Sequence, residues 1–261
     1  MTAGDGRGRR AVGRGLPAPL AERLAAGHWL RTAHRGAPTV APGNSRAAIV
    51  AAAALGVDMV EVDVHATADG ALALWHDDDL PAGDARLPLA ATTLAELQRV
   101  DLGRGERLIT LADAMAAVRG RAALLVDLKA DGLAEPIVAT ARRLDFGPVV
   151  VCGGYWGSLC DVKRLAPEIG TSLTLERHWR AWHGDDAIER ADTDALTVDA
   201  RLLGEPGLLD RCHARGLAVL AWTVDRPEDM RRLLALGVDG LTSNRPDRFA
   251  ALLGSRAAPA G

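Results

Sequence analysis

Cysteine, lysine and long apolar runs are scarce in this chain, and each scarcity narrows what it does. Three cysteines, Cys152, Cys160 and Cys212, make neither an even disulfide set nor a Cys-x-x-Cys pair with zinc spacing, so reduced structural thiols are expected. The longest apolar run, residues 47–57, is too short to cross a bilayer and reads as a buried helix, so no integral membrane segment is expected. Gly, Pro and charge follow the basic N-terminal residues where a secretory signal would place an apolar stretch, which points to the cytoplasm. A net charge of −3 without a clustered basic face argues against a nucleic-acid partner. The four arginines within residues 7–14 stand among glycines and read as a solvated tail. Only Lys129 and Lys163 are lysines among the 31 basic residues. A bias toward Arg and Ala accounts for that imbalance and makes the placement of each lysine informative.

What is present is a globular composition, 48% hydrophobic and 25% charged, over 261 residues, a length that one large barrel accommodates. From about residue 30 onward, short β-branched or Leu-rich runs alternate with longer Ala/Leu/Arg runs of helical period, the pattern of repeated βα units around a parallel sheet. Strands are expected at 30–33, 59–64, 124–128, 149–152, 171–175, 195–198, 218–222 and 240–242, the number a closed (β/α)₈ TIM barrel requires. A further extended run at 71–75 follows Asp69-Gly70, a dipeptide suited to a tight reversal. Helices are expected at 45–55, 111–118, 134–143, 158–165, 206–215, 227–236 and 246–252. Asp225 before Arg226-Pro227 and Asn244 before Arg245-Pro246 read as helix starts. The expected organisation is a disordered or irregular tail over 1–28, one barrel over 29–253, and a flexible C-terminus over 254–261.

In such a barrel the reacting groups stand at the carboxyl ends of the strands. The first strand runs into His34-Arg35-Gly36, an imidazole, a bidentate anion ligand and a permissive glycine. In Val60-Glu61-Val62-Asp63-Val64 the alternation of side chains puts both carboxylates on one face, two hard oxygen ligands of the kind Mg²⁺ or Ca²⁺ takes. Trp75-His76-Asp77 supplies a second histidine, whereas His28, His178, His183 and His213 read as structural or surface residues. Asp127 and Lys129 lie two apart on the third strand, either completing the carboxylate set with a point charge for a phosphate oxygen or forming a strand-end ion pair. Trp222 ends the seventh strand, where its ring either packs against an alcohol moiety or fills the core. Trp179 and Trp182 read as either a pocket lining or a cover on the barrel rim.

Together His34-Arg35-Gly36, Glu61-x-Asp63, Thr67-x-Asp69-Gly70, His76-Asp77, Asp127-x-Lys129, Trp222-Thr223-Val224 and Gly237-Val238-Asp239-Gly240 resemble, in order and spacing, the glycerophosphodiester phosphodiesterase family, over about residues 33–249. The resemblance implies a barrel of the phosphatidylinositol-phosphodiesterase-like type that hydrolyses a small glycerophosphodiester to glycerol 3-phosphate and an alcohol. It further implies His34 and His76 as the acid/base pair, and Glu61, Asp63 and Asp127 as ligands of one divalent cation, Mg²⁺ or Ca²⁺, with Mn²⁺ a third candidate. Arg35 and Lys129 then hold phosphate, and Trp222 contacts substrate. Three positions depart from the family pattern. Gly43 in Pro42-Gly43-Asn44-Ser45 stands where the family has Glu, Asp127 where it commonly has Glu, and Asn244 where Asp is usual. Asn244 is expected to serve as a helix cap all the same. The short segment between His76 and Leu94 favours a small substrate. Two rivals remain at this point: a lysophospholipase D or sphingomyelinase D acting on lipids, and a non-catalytic barrel that binds a phosphorylated ligand. The sequence sets no oligomeric state.

Overall fold

The computed structural model describes residues 12–253; the expectations for 1–11 and 254–261 lie outside the described residues. In chain order the strands are β1 (Leu30–Ala33), β2 (Met59–Ala66), β3 (Leu72–Leu74), β4 (Asp79–Ala82), β5 (Ala85–Pro88), β6 (Ala123–Leu128), β7 (Val149–Gly153), β8 (Gly170–Leu175), β9 (Ala195–Asp199), β10 (Ala218–Trp222) and β11 (Gly240–Ser243). Eight of them form a closed parallel barrel in the order β1-β11-β10-β9-β8-β7-β6-β2, and the pairing of Thr32 with Met59 joins β2 back to β1. The expected barrel is therefore present, each expected strand overlapping an observed one. Past Asp69-Gly70 the chain reverses, and β3 pairs antiparallel with the end of β2, Val64 opposite Leu74.

The alternation along the strands separates two cores. Val60, Val62, Val64, Leu124 and Val126 face outward and pack under helices such as Arg46–Ala54, Leu111–Val118 and Ala134–Arg143. Inside the barrel, at the amino ends of the strands, Leu30, Met59, Leu125, Val150, Ala218 and Leu220 form a separate cluster. Leu16 and Leu20 belong to that inner cluster, 5% and 2% exposed. Over residues 12–25 the structure thus differs from the expected tail. Ala18–Ala25 is a helix and residues 12–25 close the barrel floor, with Gly13 N donating to Gly216 O at 2.9 Å. An open barrel end leaves apolar side chains wet, and a segment carrying two leucines at i, i+4 is what such an end can bury.

The short segment between His76 and Leu94 holds the β4–β5 hairpin, and Leu80 of β4 with Leu89 just past β5 packs onto Ala73, Leu97 and Leu108. Pro81, Gly83 and Pro88 give it the punctuation of a loop, and only the tertiary contacts make it a hairpin. Among the described residues no helix is long and apolar enough to cross a membrane. The three cysteines are free thiols.

Candidate active site

At the end of β1, His34 N continues the ladder to Ser243 O at 2.9 Å, and the chain then turns sharply, with Arg35 at φ 55° and Gly36 at φ 81°. A Cβ on Gly36 would stand 2.6 Å from the Ala48 carbonyl carbon, so only glycine lets this turn lie on the helix Arg46–Ala54. Ser45 caps that helix by accepting from Ala48 N, and Asn44 just before it sits at φ 62°. Two side-chain-bearing residues in the left-handed region within one loop mark strain held in place by contacts, and both contact Asp63. Asn44 Nδ2 donates to Asp63 Oδ2 at 2.8 Å, and Arg35 Nε lies 2.9 Å from the same oxygen. Gly43 lies against Arg35, a Cβ there meeting the Arg35 Cβ at 3.1 Å.

Glu61, Asp63 and Asp127 each offer an oxygen within 4.8 Å of the others, the first two buried and the third half-buried. Register explains it: Asp63 of β2 is directly opposite Asp127 of β6, and Glu61 is two residues back on the same inner face. Lys129 Nζ bridges the pair, 2.8 Å from Asp63 Oδ1 and 2.5 Å from Asp127 Oδ2. Both expected phosphate clamps, Arg35 and Lys129, are thus ion-paired with Asp63. Burial pushes the Glu61 carboxyl well above the usual range, and the neighbouring Asp63 and Asp127 add to it. Burial likewise raises Asp127. For Asp63 burial acts upward, but Lys129 and Arg35 outweigh it and hold the group below its ordinary value. Burial opposes the charge on Lys129, yet Asp127 and Asp63 keep its ammonium above the ordinary lysine value. Three carboxyl groups thus face only two cations in a buried place, and the shortfall of positive charge goes with the raised Glu61 and Asp127 carboxyls. Oxygen ligands at this spacing therefore fit one hard divalent ion.

His34 Nδ1 lies 2.7 Å from Asn244 Oδ1, while Asn244 Nδ2 donates to Asp225 Oδ2 at 2.9 Å. Because the amide turns its NH₂ to the carboxylate, its oxygen faces the ring, so Nδ1 carries the proton and Nε2 is free, 3.9 Å from Glu61 Oε2. Burial, then Arg35, lowers the His34 pKa. Helices start where Asp225 and Asn244 announce them, at Pro227 and Pro246, but the expected cap is corrected: neither Pro227–Leu236 nor Pro246–Phe249 has a side-chain cap, and Asp225 instead accepts from Ser243 Oγ, Asn244 N and Asn244 Nδ2. His76 is exposed, with Nδ1 2.6 Å from Asp77 Oδ1. His65, buried on β2, reaches the His76 carbonyl at 3.3 Å.

A cavity of about 90 Å³ brings together His34, Arg35, Glu61, Asp63 and His76 with Asp127, Lys129 and Trp222. All eight residues expected at the site line it. The reading from sequence missed Asn44, His65, Asp225 and the part Asn244 plays, along with Thr174, Glu176 and Thr242 on the wall. No spacing distinguishes these residues from ordinary turn and strand residues. Buried Thr174 Oγ1, Thr242 Oγ1 and Trp222 Nε1 have no hydrogen-bond partner among the described residues.

Fold and cavity together define a (β/α)₈ barrel whose titratable groups gather at the carboxyl ends of the strands, the place where barrels of this class carry their chemistry. Residues 34–248 match the glycerophosphoryl diester phosphodiesterase family. The chain is 32% identical over 246 residues to probable glycerophosphodiester phosphodiesterase 2 of Mycobacterium tuberculosis, covering 88% of this chain and 92% of that one. With the glycerophosphodiester phosphodiesterase of Caldanaerobacter subterraneus subsp. tengcongensis it shares 29% identity over 231 residues, 82% of this chain and 93% of the relative. An Oleispira antarctica phosphodiesterase solved with the product sn-glycerol-3-phosphate superposes with a TM-score of 0.76 at 26% identity, covering 87% of this chain and 97% of that one. The chain belongs to the glycerophosphoryl diester phosphodiesterase family, and so to the enzymes that hydrolyse phosphoric diesters.

Proposed function

We propose that this enzyme cleaves a glycerophosphodiester to glycerol 3-phosphate and an alcohol, using one divalent cation, Mg²⁺ or Ca²⁺ with Mn²⁺ a third candidate, and proton exchange by two histidines. The observation that carries this reading is the convergence of His34, Glu61, Asp63, His76, Asp127 and Lys129, from separate strands, on one cavity. The product held by the Oleispira relative supports the same product here.

Glu61, Asp63 and Asp127 are the residues to hold the cation. When bound it supplies Lewis-acid stabilisation of the charge that develops on the phosphate oxygens. His34 Nε2, unprotonated and facing the acids, takes the proton of the attacking hydroxyl or water, and His76 gives a proton to the departing alcohol. Arg35 and Lys129 hold phosphate oxygens from beside Asp63, Arg35 through its fork and Lys129 as a point charge. Trp222 packs its ring against the glycerol, and the Oγ1 of Thr174 and of Thr242, unpaired among the described residues, offers hydrogen bonds to substrate hydroxyls.

The test is a panel of glycerophosphodiesters with Mg²⁺, Ca²⁺ or Mn²⁺, with glycerol 3-phosphate as readout. Turnover is expected to vanish on chelation, return with added cation, and fall by about 10²–10⁴-fold in His34→Ala. Turnover that survives both chelation and His34→Ala would end this proposal.

A further inference from the structure

Side chains two apart on a strand share a face, so His65 follows Glu61 and Asp63 along the inner wall of β2 toward the barrel mouth. It is 6% exposed, and the proton transfers assigned to His34 and His76 make no use of it. A buried imidazole needs a partner for its N–H. Among the described residues that partner is the backbone carbonyl of His76, 3.3 Å from His65 Nε2. Because a carbonyl only accepts, Nε2 carries the proton and the ring is the donor.

His76 has need of such a tie. Its ring is exposed, and the side chain it is paired with, Asp77 at 2.6 Å, belongs to the same turn and does not fasten it to the barrel. The other bonds of the turn act on either side of His76. Leu74 N donates to Ile109 O at 2.9 Å and Trp75 N to Asp63 O at 3.2 Å, while Trp75 Nε1 closes the turn on Asp79 O at 3.0 Å. The donation from His65 is the side-chain bond that reaches His76 itself from the barrel wall. One face of β2 thus carries two acids and, two residues further on at a rise of about 3.3 Å per residue, the group that fastens the histidine. A single strand sets the spacing between them.

We propose that His65 is a positioning residue: its Nε2–H holds the His76 carbonyl and so keeps the His76 ring where it can reach the departing oxygen of a phosphodiester bound at Glu61, Asp63 and Asp127. The assignment rests on the reading of His76 as proton donor given above, and adds the residue that places it. Proton transfer requires heavy atoms about 2.6–3.2 Å apart, so a turn that shifts by about 1 Å loses the reaction without losing the fold.

Two measurements on the whole protein, supplied with the cation that supports turnover, separate this assignment from that reading. The first compares kcat for an alkyl glycerophosphodiester, whose alcohol must take a proton as it leaves, with kcat for glycerol 3-(4-nitrophenyl phosphate), whose phenolate leaves without one. His65→Leu removes the donor, with His65→Val in its place should the leucine variant not fold, and His65→Gln keeps an N–H for the carbonyl. The alkyl-to-nitrophenyl ratio is expected to fall about 10- to 100-fold in His65→Leu, to recover in His65→Gln, and to fall no further when His65→Leu is added to His76→Ala. The second measurement is backbone hydrogen exchange over residues 75–79, expected to quicken about fivefold in His65→Leu and to slow again in His65→Gln. A ratio that His65→Leu leaves unmoved, or that falls as far in the His76→Ala background as in the wild type, overturns the positioning role. A ratio unmoved by His76→Ala alone would overturn the acid reading of His76 instead; quickened exchange in His65→Leu would then still uphold the tie to the turn, and unchanged exchange would overturn that as well.

Discussion

Asn244 stands between a histidine and a carboxylate, and its orientation decides the state of both. Its oxygen accepts from His34 Nδ1 and its NH₂ donates to Asp225, so the charge of Asp225 reaches the imidazole only through a neutral amide. Burial, the larger effect, and Arg35 therefore hold the His34 pKa below its ordinary value of 6.5. The sign follows directly. A base of lowered pKa is already deprotonated at neutral pH, and kcat/KM should fall only as pH drops below 6.5. Exchanging the two residues, Asn244→Asp together with Asp225→Asn, keeps one amide and one carboxylate but puts the charge directly against the ring. Since an adjacent anion favours the imidazolium, the acid limb of the pH–rate profile should move up by about one unit. An unmoved limb would show that His34 is not the group titrating there.

Among the elements, the helix Ala18–Ala25 contributes more than its place near the N-terminus implies. Leu16 and Leu20 fill the floor of the barrel against Leu30, Met59 and Leu220. A leucine 2% exposed in a close-packed cluster leaves a cavity when truncated, so Leu20→Ala should cost about 2–5 kcal/mol, read from urea denaturation midpoints. Glycerophosphodiester hydrolysis at low temperature should survive that change, because the floor lies at the amino ends of the strands and the reacting groups at their carboxyl ends. The two barrel ends thus divide stability from chemistry.

For the molecule as a whole, closure of the sheet brings the carboxylates of β2 and β6 side by side and leaves Glu61, Asp63 and Asp127 with less positive charge than they need. An ion that binds the folded site and not the unfolded chain stabilises by mass action. Adding Mg²⁺ or Ca²⁺ at about 100 times its dissociation constant should raise stability by about 2.7 kcal/mol, seen as a higher Tm, and Asp63→Asn should abolish the rise. A Tm indifferent to every divalent cation would argue against a cation held by these acids.

Much of this was legible in the sequence, for reasons that are local. The period of two in Val60-Glu61-Val62-Asp63-Val64 assigns a strand and puts its acids on one face, because side chains alternate whatever the strand packs against. Eight such runs separated by helical ones specify a parallel barrel, and the barrel puts His34, Asp127, Lys129 and Trp222 at its mouth. Tertiary structure alone decided what depends on contacts between distant segments. Asn244 reads as a helix cap and Asp225 as a helix-start signal by position, yet Asn244 turns to His34, some 200 residues away in the chain, and Asp225 to Ser243 and Asn244. Leu16 and Leu20 lie in a short stretch among Gly, Pro and Arg that reads as a tail, and become core only where a barrel end needs covering. The sequence by itself determined the strands, the faces and the titratable groups, since those follow from neighbours along the chain. Which groups share a proton, a charge or a cavity is a matter of distance in space, and the closed barrel sets that distance.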